Sequence, residues 1–252
     1  MQQDFFVDSL HVFTYQTRQE LGAQAALMAE REIIAMLQDK PELNIIFAAA
    51  PSQNEFLSEI VKCAGIDWSR IHAFHMDEYI GLPRDAPQKF SKYLKDHIFD
   101  QVKFKTVHLI DGSNPSPDDE CMRYGKLLHS SPPDIVFMGI GENGHIAFND
   151  PPVADFDDPK SVKIVELDRV CRRQQVNDGC FASPELVPRR AITLTIPTLL
   201  QAEKIFCMVP GKTKASAVYN TLNLPITTDC PATILRTHKG ARLFVDGDSF
   251  PL

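Results

Sequence analysis

The stretch that decides the fold is DIVFMGIGENGHIAFNDPP, Asp134 to Pro152. DIVFM is an apolar run of strand length, and Gly139, Gly141 and Gly144 follow it at the G-x-G-x-x-G spacing. Two readings compete: a loop that cradles a dinucleotide, or a tight turn that presents His145 and the carboxylate of Asp150 to something else. A dinucleotide loop needs its third glycine to open a crossover helix, with an acidic residue ending the next strand. Glu166 meets the second requirement. The first fails, because only IAFND separates His145 from Pro151 and Pro152, and proline inside a helix costs about 3 kcal/mol. The turn reading is the stronger. The glycines then give a tight turn with free backbone N–H groups, while Asn143, His145 and Asp150 converge on a substrate. A carboxylate that accepts from one ring nitrogen orients the imidazole and leaves the other nitrogen to move a proton.

Around this stretch, helical and strand patterns alternate. TRQE, Thr17 to Glu20, has the form of a capping box. It predicts a helix to about Lys40 with Leu21, Ala25, Met28, Ile33, Ile34 and Leu37 as the buried stripe. LNIIFAAA (43–50) reads as a strand covered on both faces, and Ser52 with Glu55 in PSQNEFLSEIV suggests a second capping box. IHAFHM, VHLI, SVKIVEL, RAITLTI, KIFCMVP and ARLFVD read as further strands, while FSKYLKDHIF, DDECMRYGKLLH and GKTKASAVYNTL read as helices. Strands separated by helices imply right-handed crossovers and a mostly parallel, Rossmann-like sheet flanked by helices. The expectation is one α/β domain over residues 1–252, with no repeat, low-complexity tract or linker. Ligands of such sheets bind beyond the carboxyl ends of strands. That rule singles out the loops after Ala50, Met76, Met138 and Val209.

Composition narrows the partners. The chain has 252 residues, 44% of them hydrophobic, and a net charge of -7, which argues against nucleic acid or an anionic membrane surface as the main partner. It has no apolar run long enough to span a bilayer, and MQQDFFVDSL lacks the pattern of a secretory signal. A cytoplasmic protein is the simplest expectation. Six scattered cysteines without a C-x-x-C pair suggest neither a zinc cage nor a disulfide framework. His72 and His75 lie three apart on a predicted strand and point to opposite faces, so no metal site is expected.

A second constellation is MDEYIGLP, Met76 to Pro83. Asp77 and Glu78 are expected to begin a turn, because Gly81 and Pro83 interrupt any regular continuation. An acidic pair at a loop start is usually solvated. This one is delivered by an apolar strand to the ligand-binding edge, where a partly desolvated Asp77 can serve as general base.

At these residues the sequence resembles the glucosamine-6-phosphate deaminase (isomerase) family. The resemblance runs over nearly the whole chain on MDEYIGLP, GIGENGHIAFNDP, VPRRAITLTI and PGKTKA, in the family's order. It implies a fold related to ribose-5-phosphate isomerase and the CoA transferases. It also implies conversion of glucosamine 6-phosphate to fructose 6-phosphate and ammonia, with no redox cofactor or required metal. Asp77 matches the base that moves a proton from C2 to C1, and His145 matches the histidine that assists ring opening at O5. Asn143 stands at a partner position, and Asp150 stands where the family usually has Glu, one methylene longer. Lys214 matches the family's phosphate-binding lysine.

The phosphate half departs from the family. Its glycine loop after the first strand is replaced by AAAPSQNE, where the helix after Ser52 still offers N–H groups. The family's phosphate arginine would fall near Gly179 or Cys180, where there is none, and Arg172 or Arg173 is the nearest substitute. The resemblance therefore implies a divergent paralogue whose site includes Asp77, Asn143, His145 and Asp150 for chemistry. Ser52, Glu78, Gly141, Gly144, Arg172 and Lys214 are expected to bind substrate. The expected partner is a small sugar or sugar phosphate, and a homo-oligomer stays open, the short end after ARLFVD favouring a small assembly. The alternatives are a 6-phosphogluconolactonase-like hydrolase, against which MDEY and AFNDP argue, and a non-catalytic sugar-phosphate sensor.

Overall fold

Thr17 starts the first long helix as its sequence requires, its hydroxyl oxygen accepting from the N–H of Glu20 at 3.2 Å. Glu20 reaches one residue further back than in a capping box and accepts from the N–H of Gln16 at 3.1 Å. In the computed structural model, which describes residues 3–251, the chain then alternates between strands and helices. It runs through β1 (Gln3–Val7), β2 (Leu10–Thr14), α1 (Arg18–Asp39), β3 (Leu43–Phe47), α2 (Asn54–Ile60), β4 (Ile71–His75), β5 (Asp77–Tyr79), α3 (Phe90–Leu94) and β6 (Thr106–His108). The second half comprises α4 (Pro117–Ser130), β7 (Ile135–Met138), β8 (Val162–Glu166), α5 (Arg169–Asn177), β9 (Arg190–Leu194), α6 (Ile196–Leu200), β10 (Lys204–Val209), α7 (Ala215–Asn223) and β11 (Ala241–Val245).

Eight strands form one sheet in the order β1-β2-β11-β10-β7-β3-β4-β6. All neighbours are parallel except the hairpin β1–β2, which the periodicity did not single out. The alternation of side chains puts Ile135 and Phe137 of β7 in one apolar layer and Val136 and Met138 in the other. Both faces are thus covered, which is why these strands read as unbroken apolar runs. No helix among the described residues is long and apolar enough to cross a membrane.

Three local expectations need correction. Ser52 does not cap α2: the helix begins at Asn54, the Ser52 hydroxyl accepts from Nε2 of Gln53 at 3.0 Å, and Glu55 is turned to Arg18. Asp77 and Glu78 do not begin a turn either. They form β5, the edge of a separate antiparallel sheet in the order β5-β9-β8, with Asp77 opposite Thr193. Leu194 N donates to Met76 O at 2.8 Å, so the chain passes from the main sheet into the small one without a loop. Helix α5 went unread because its buried face is polar: Cys171, Gln174 and Gln175 are the buried residues, and no apolar stripe announces them.

Candidate active site

The loops after β3, β7 and β10, three adjacent strands, meet beyond their carboxyl ends, and the β4–β5 step brings Met76 and Asp77 beside them. They enclose a cavity of about 320 Å³. Asp77, His145, Gly141, Ser52 and Lys214 line it. Asn143, Asp150, Glu78, Gly144 and Arg172 do not.

His145 is held from behind. Its Nδ1 lies 2.8 Å from Oδ1 of Asn143 and 2.9 Å from Oδ1 of Asp150, and Asn143 Nδ2 donates to the same Asp150 oxygen at 2.8 Å. The shorter Asp side chain therefore reaches the ring directly. What brings it there is the tight turn between, where Asn149 N donates to Ile146 O at 3.1 Å and Ala147 adopts a positive φ of 50°. Such backbone is strained for a residue with a side chain, and it is held by its surroundings. Asn149 supplies part of that hold through Nδ2, which donates to Leu194 O at 2.8 Å. Burial pushes the Asp150 carboxyl up, but the ring of His145 and the hydrogen bonds from it and Asn143 outweigh that and hold it below the ordinary range. With Nδ1 donating, Nε2 is the atom left to exchange a proton with whatever occupies the cavity. Asn143 and Asp150, predicted as catalytic, are placed to orient His145 rather than to touch a ligand.

Asp77 faces the cavity from β5. Burial and the neighbouring Glu78 hold its carboxyl well above the usual carboxylate range, which makes its ionised form more basic than an ordinary carboxylate. Glu78 points the other way. Its Oε1 accepts from the N–H groups of Tyr79 at 3.0 Å and Phe90 at 3.1 Å, and its Oε2 accepts from Ser91 N at 3.0 Å and Ser91 Oγ at 2.7 Å. It ties the start of α3 to β5 and has no lone pair turned to a ligand. The period of a strand explains this: adjacent residues face opposite sides.

Ser52 and the turn Gly211 to Lys214 also line the cavity. Lys214 is only 6% exposed, has no carboxylate at ion-pair distance among the described residues, and is pushed below its ordinary pKa by burial. Arg172 is not there: its Nη1 donates to Pro184 O at 3.1 Å, so it braces the chain after α5 instead. Gly144 is likewise placed outside the cavity, at φ +84° against Cys230, with its carbonyl accepting from Ala232 N at 2.8 Å. Several polar lining residues were missed, Asp178, Lys212 and Thr213 among them, and so were three with defined hydrogen-bond partners. Arg18 of α1 lies at the loop after β3, Nη2 donating to Pro51 O at 3.0 Å. Gln174 accepts from the N–H of Glu142 at 2.8 Å, and Gln175 accepts from the hydroxyl of Tyr79 at 2.6 Å. Only the capping signal before Arg18 marked its place on a first helical turn; nothing local gave its direction.

The cavity thus offers a carboxylate base, an imidazole with one nitrogen free, and an unpaired buried cation. That set suits proton movement on a small polar molecule with an anionic end.

Comparison with known proteins agrees with this chemistry. The family model described as glucosamine-6-phosphate isomerases/6-phosphogluconolactonase matches residues 16–244. A glucosamine-6-phosphate deaminase of an Exiguobacterium species is 39% identical over 230 residues, 90% of this chain and 89% of that protein. The glucosamine-6-phosphate deaminase of Halothermothrix orenii is 32% identical over 96% of this chain and all of its own length. Among solved structures, a monomeric glucosamine-6-phosphate deaminase superposes with a TM-score of 0.84 at 29% identity, covering 94% of this chain and 98% of its own. A 6-phosphogluconolactonase of Thermotoga maritima gives 0.74 at 19% identity over 93% and 98%, a likeness of fold alone.

Proposed function

Because the chain belongs to the family of glucosamine-6-phosphate isomerases and 6-phosphogluconolactonases, we propose that it is a glucosamine-6-phosphate deaminase. It converts glucosamine 6-phosphate and water to fructose 6-phosphate and ammonia. The observation that carries this reading is that the carboxylate of Asp77 and the ring of His145 face one cavity, the ring fixed through Nδ1 by Asn143 and Asp150.

In this reading His145 acts first, moving a proton at the ring oxygen O5 through Nε2 so that the pyranose opens and the aldehyde is exposed. Asp77 then removes the proton from C2 and returns it at C1, which turns the aldose amine into a ketose imine. Water adds to the imine carbon and ammonia leaves. One carboxylate serves both proton transfers because C1 and C2 are adjacent, so the same group reaches both with a small displacement.

The test is a panel of glucosamine 6-phosphate, glucosamine and 6-phosphogluconolactone, followed for ammonia, ketose and acid release. Ammonia and ketose in equal amounts from the first compound alone supports the reading. Acid release from the lactone with no ammonia from any compound would overturn it.

A further inference from the structure

Holding a phosphate in this cavity poses a charge problem. A phosphate monoester carries close to two negative charges at neutral pH; Lys212 and Lys214 both line the cavity, but of the two only Lys214 is buried. The resemblance places a second cation near Cys180, where this chain has none, and Arg172 is turned to Pro184. The loop after β3 has no glycine to let backbone groups approach.

We propose that Arg18 is a second, fixed phosphate contact through Nη1, its charge oriented and balanced by Glu55, so that the 6-phosphate is held between the guanidinium of α1 and the ammonium of Lys214, and that this pair sets the preference for phosphorylated over free sugar. The proposal rests on the reading that the substrate carries a phosphate. Arg18 lines the cavity together with Lys214. Its guanidinium is fixed: Nε donates to Oε1 of Glu55 at 2.6 Å, and Nη2 donates to Oε2 of Glu55 at 2.8 Å and to Pro51 O at 3.0 Å. Nη1 has no hydrogen-bond partner among the described residues, and a guanidinium bound along one edge keeps the remaining donors for a second anion. The placement is built into the helix packing. A Cβ on Gly22 would fall 2.5 Å from Cβ of Glu55, so only glycine at that turn lets α1 lie close enough to α2 for Arg18 and Glu55 to pair. Asp246 accepts from the N–H of Gly211 at 3.0 Å and 3.2 Å, and its charge also acts on Arg18. The arginine and the Lys214 turn both line the one cavity.

This differs from a merely structural brace in what it discriminates. A brace would affect every ligand alike, whereas a phosphate contact affects only phosphorylated ones. The measurement is the affinity for glucose 6-phosphate and for glucose, which carry no amine and are not deaminated, in the full-length wild type, Arg18→Gln and Arg18→Lys. We expect Arg18→Gln to weaken glucose 6-phosphate about tenfold to a hundredfold, the range for loss of a charge-assisted pair, with glucose unchanged. Arg18→Lys, which keeps a cation on the same turn and guards against loss of fold, should recover part of the affinity. Binding is read without turnover. Phosphate discrimination that depends on Arg18 in a protein that releases no ammonia would leave this assignment standing and remove the deaminase reading. Equal weakening of both sugars, unchanged affinity in Arg18→Gln, or no preference for the phosphorylated sugar in the wild type would each overturn it.

Discussion

The imidazole of His145 lies against the Cα of Gly141. A Cβ built at position 141 would fall 2.1 Å from Cε1 of the ring and 2.3 Å from both nitrogens, so this glycine is required by the ring rather than by its own backbone, which is not in the left-handed region. Gly141→Ala should therefore keep the fold and displace His145. A shift near 1 Å at a reacting group costs about a hundredfold. Steady-state kinetics should show kcat/KM down by about that factor, with thermal stability within a few degrees of the wild type. Unchanged kinetics would mean that the ring position is not used.

Asp150 tests the link behind the ring. Its folded pKa is depressed, so its contribution to stability is present above the unfolded value of about 3.9 and is lost as pH falls through the folded value. Asp150→Asn should be less stable than the wild type at pH 7, and the gap should close in acid. Activity should fall by about a hundredfold or more, since the ring loses its charged acceptor. A pH-independent gap in melting temperature would contradict the ion pair.

Asp77 carries the opposite sign. Its folded pKa is raised, so the stability tied to its neutral form is full below about 3.9 and is lost as pH rises through the folded value. Asp77→Asn should melt above the wild type at pH 8, while the two converge towards pH 4. The same raised pKa sets the acid limb of kcat/KM, which should lie above the ordinary carboxylate range.

Glu78 separates a stability residue from a binding residue. Its two oxygens accept four hydrogen bonds at the start of α3, and an amide has only one oxygen to accept them. Glu78→Gln should cost about 1–3 kcal/mol in urea denaturation, the range for leaving buried donors unpaired. A raised KM at unchanged stability would return Glu78 to the ligand.

What the sequence made legible was local. The strand of β7, the glycine turn and the His145–Asp150 pair lie within one short stretch, so spacing alone placed them together. Asp77 was legible because an apolar strand delivers it, although Gly81 and Pro83 made β5 read as a turn. Ser52 and Lys214, which the resemblance marked, do line the cavity, but Arg18 was not legible: it is fixed by Glu55, 37 positions away, and a guanidinium's direction at that range is set by helix packing, not by pattern. Helix α5 was hidden for a related reason: it buries glutamines that bond to Glu142 and Tyr79, and a polar buried face has no hydrophobic period.

The central claim is that Asp77 moves the proton that turns an amino aldose into a ketose. The direct measurement is ammonia and fructose 6-phosphate release from glucosamine 6-phosphate by the wild type and by Asp77→Asn, both shown to be folded. The account predicts equal release of both products by the wild type and a loss of about a hundredfold to ten-thousandfold in the variant, the range for removing a positioned base. No ammonia from the wild type, or a variant within tenfold of it, would contradict the account.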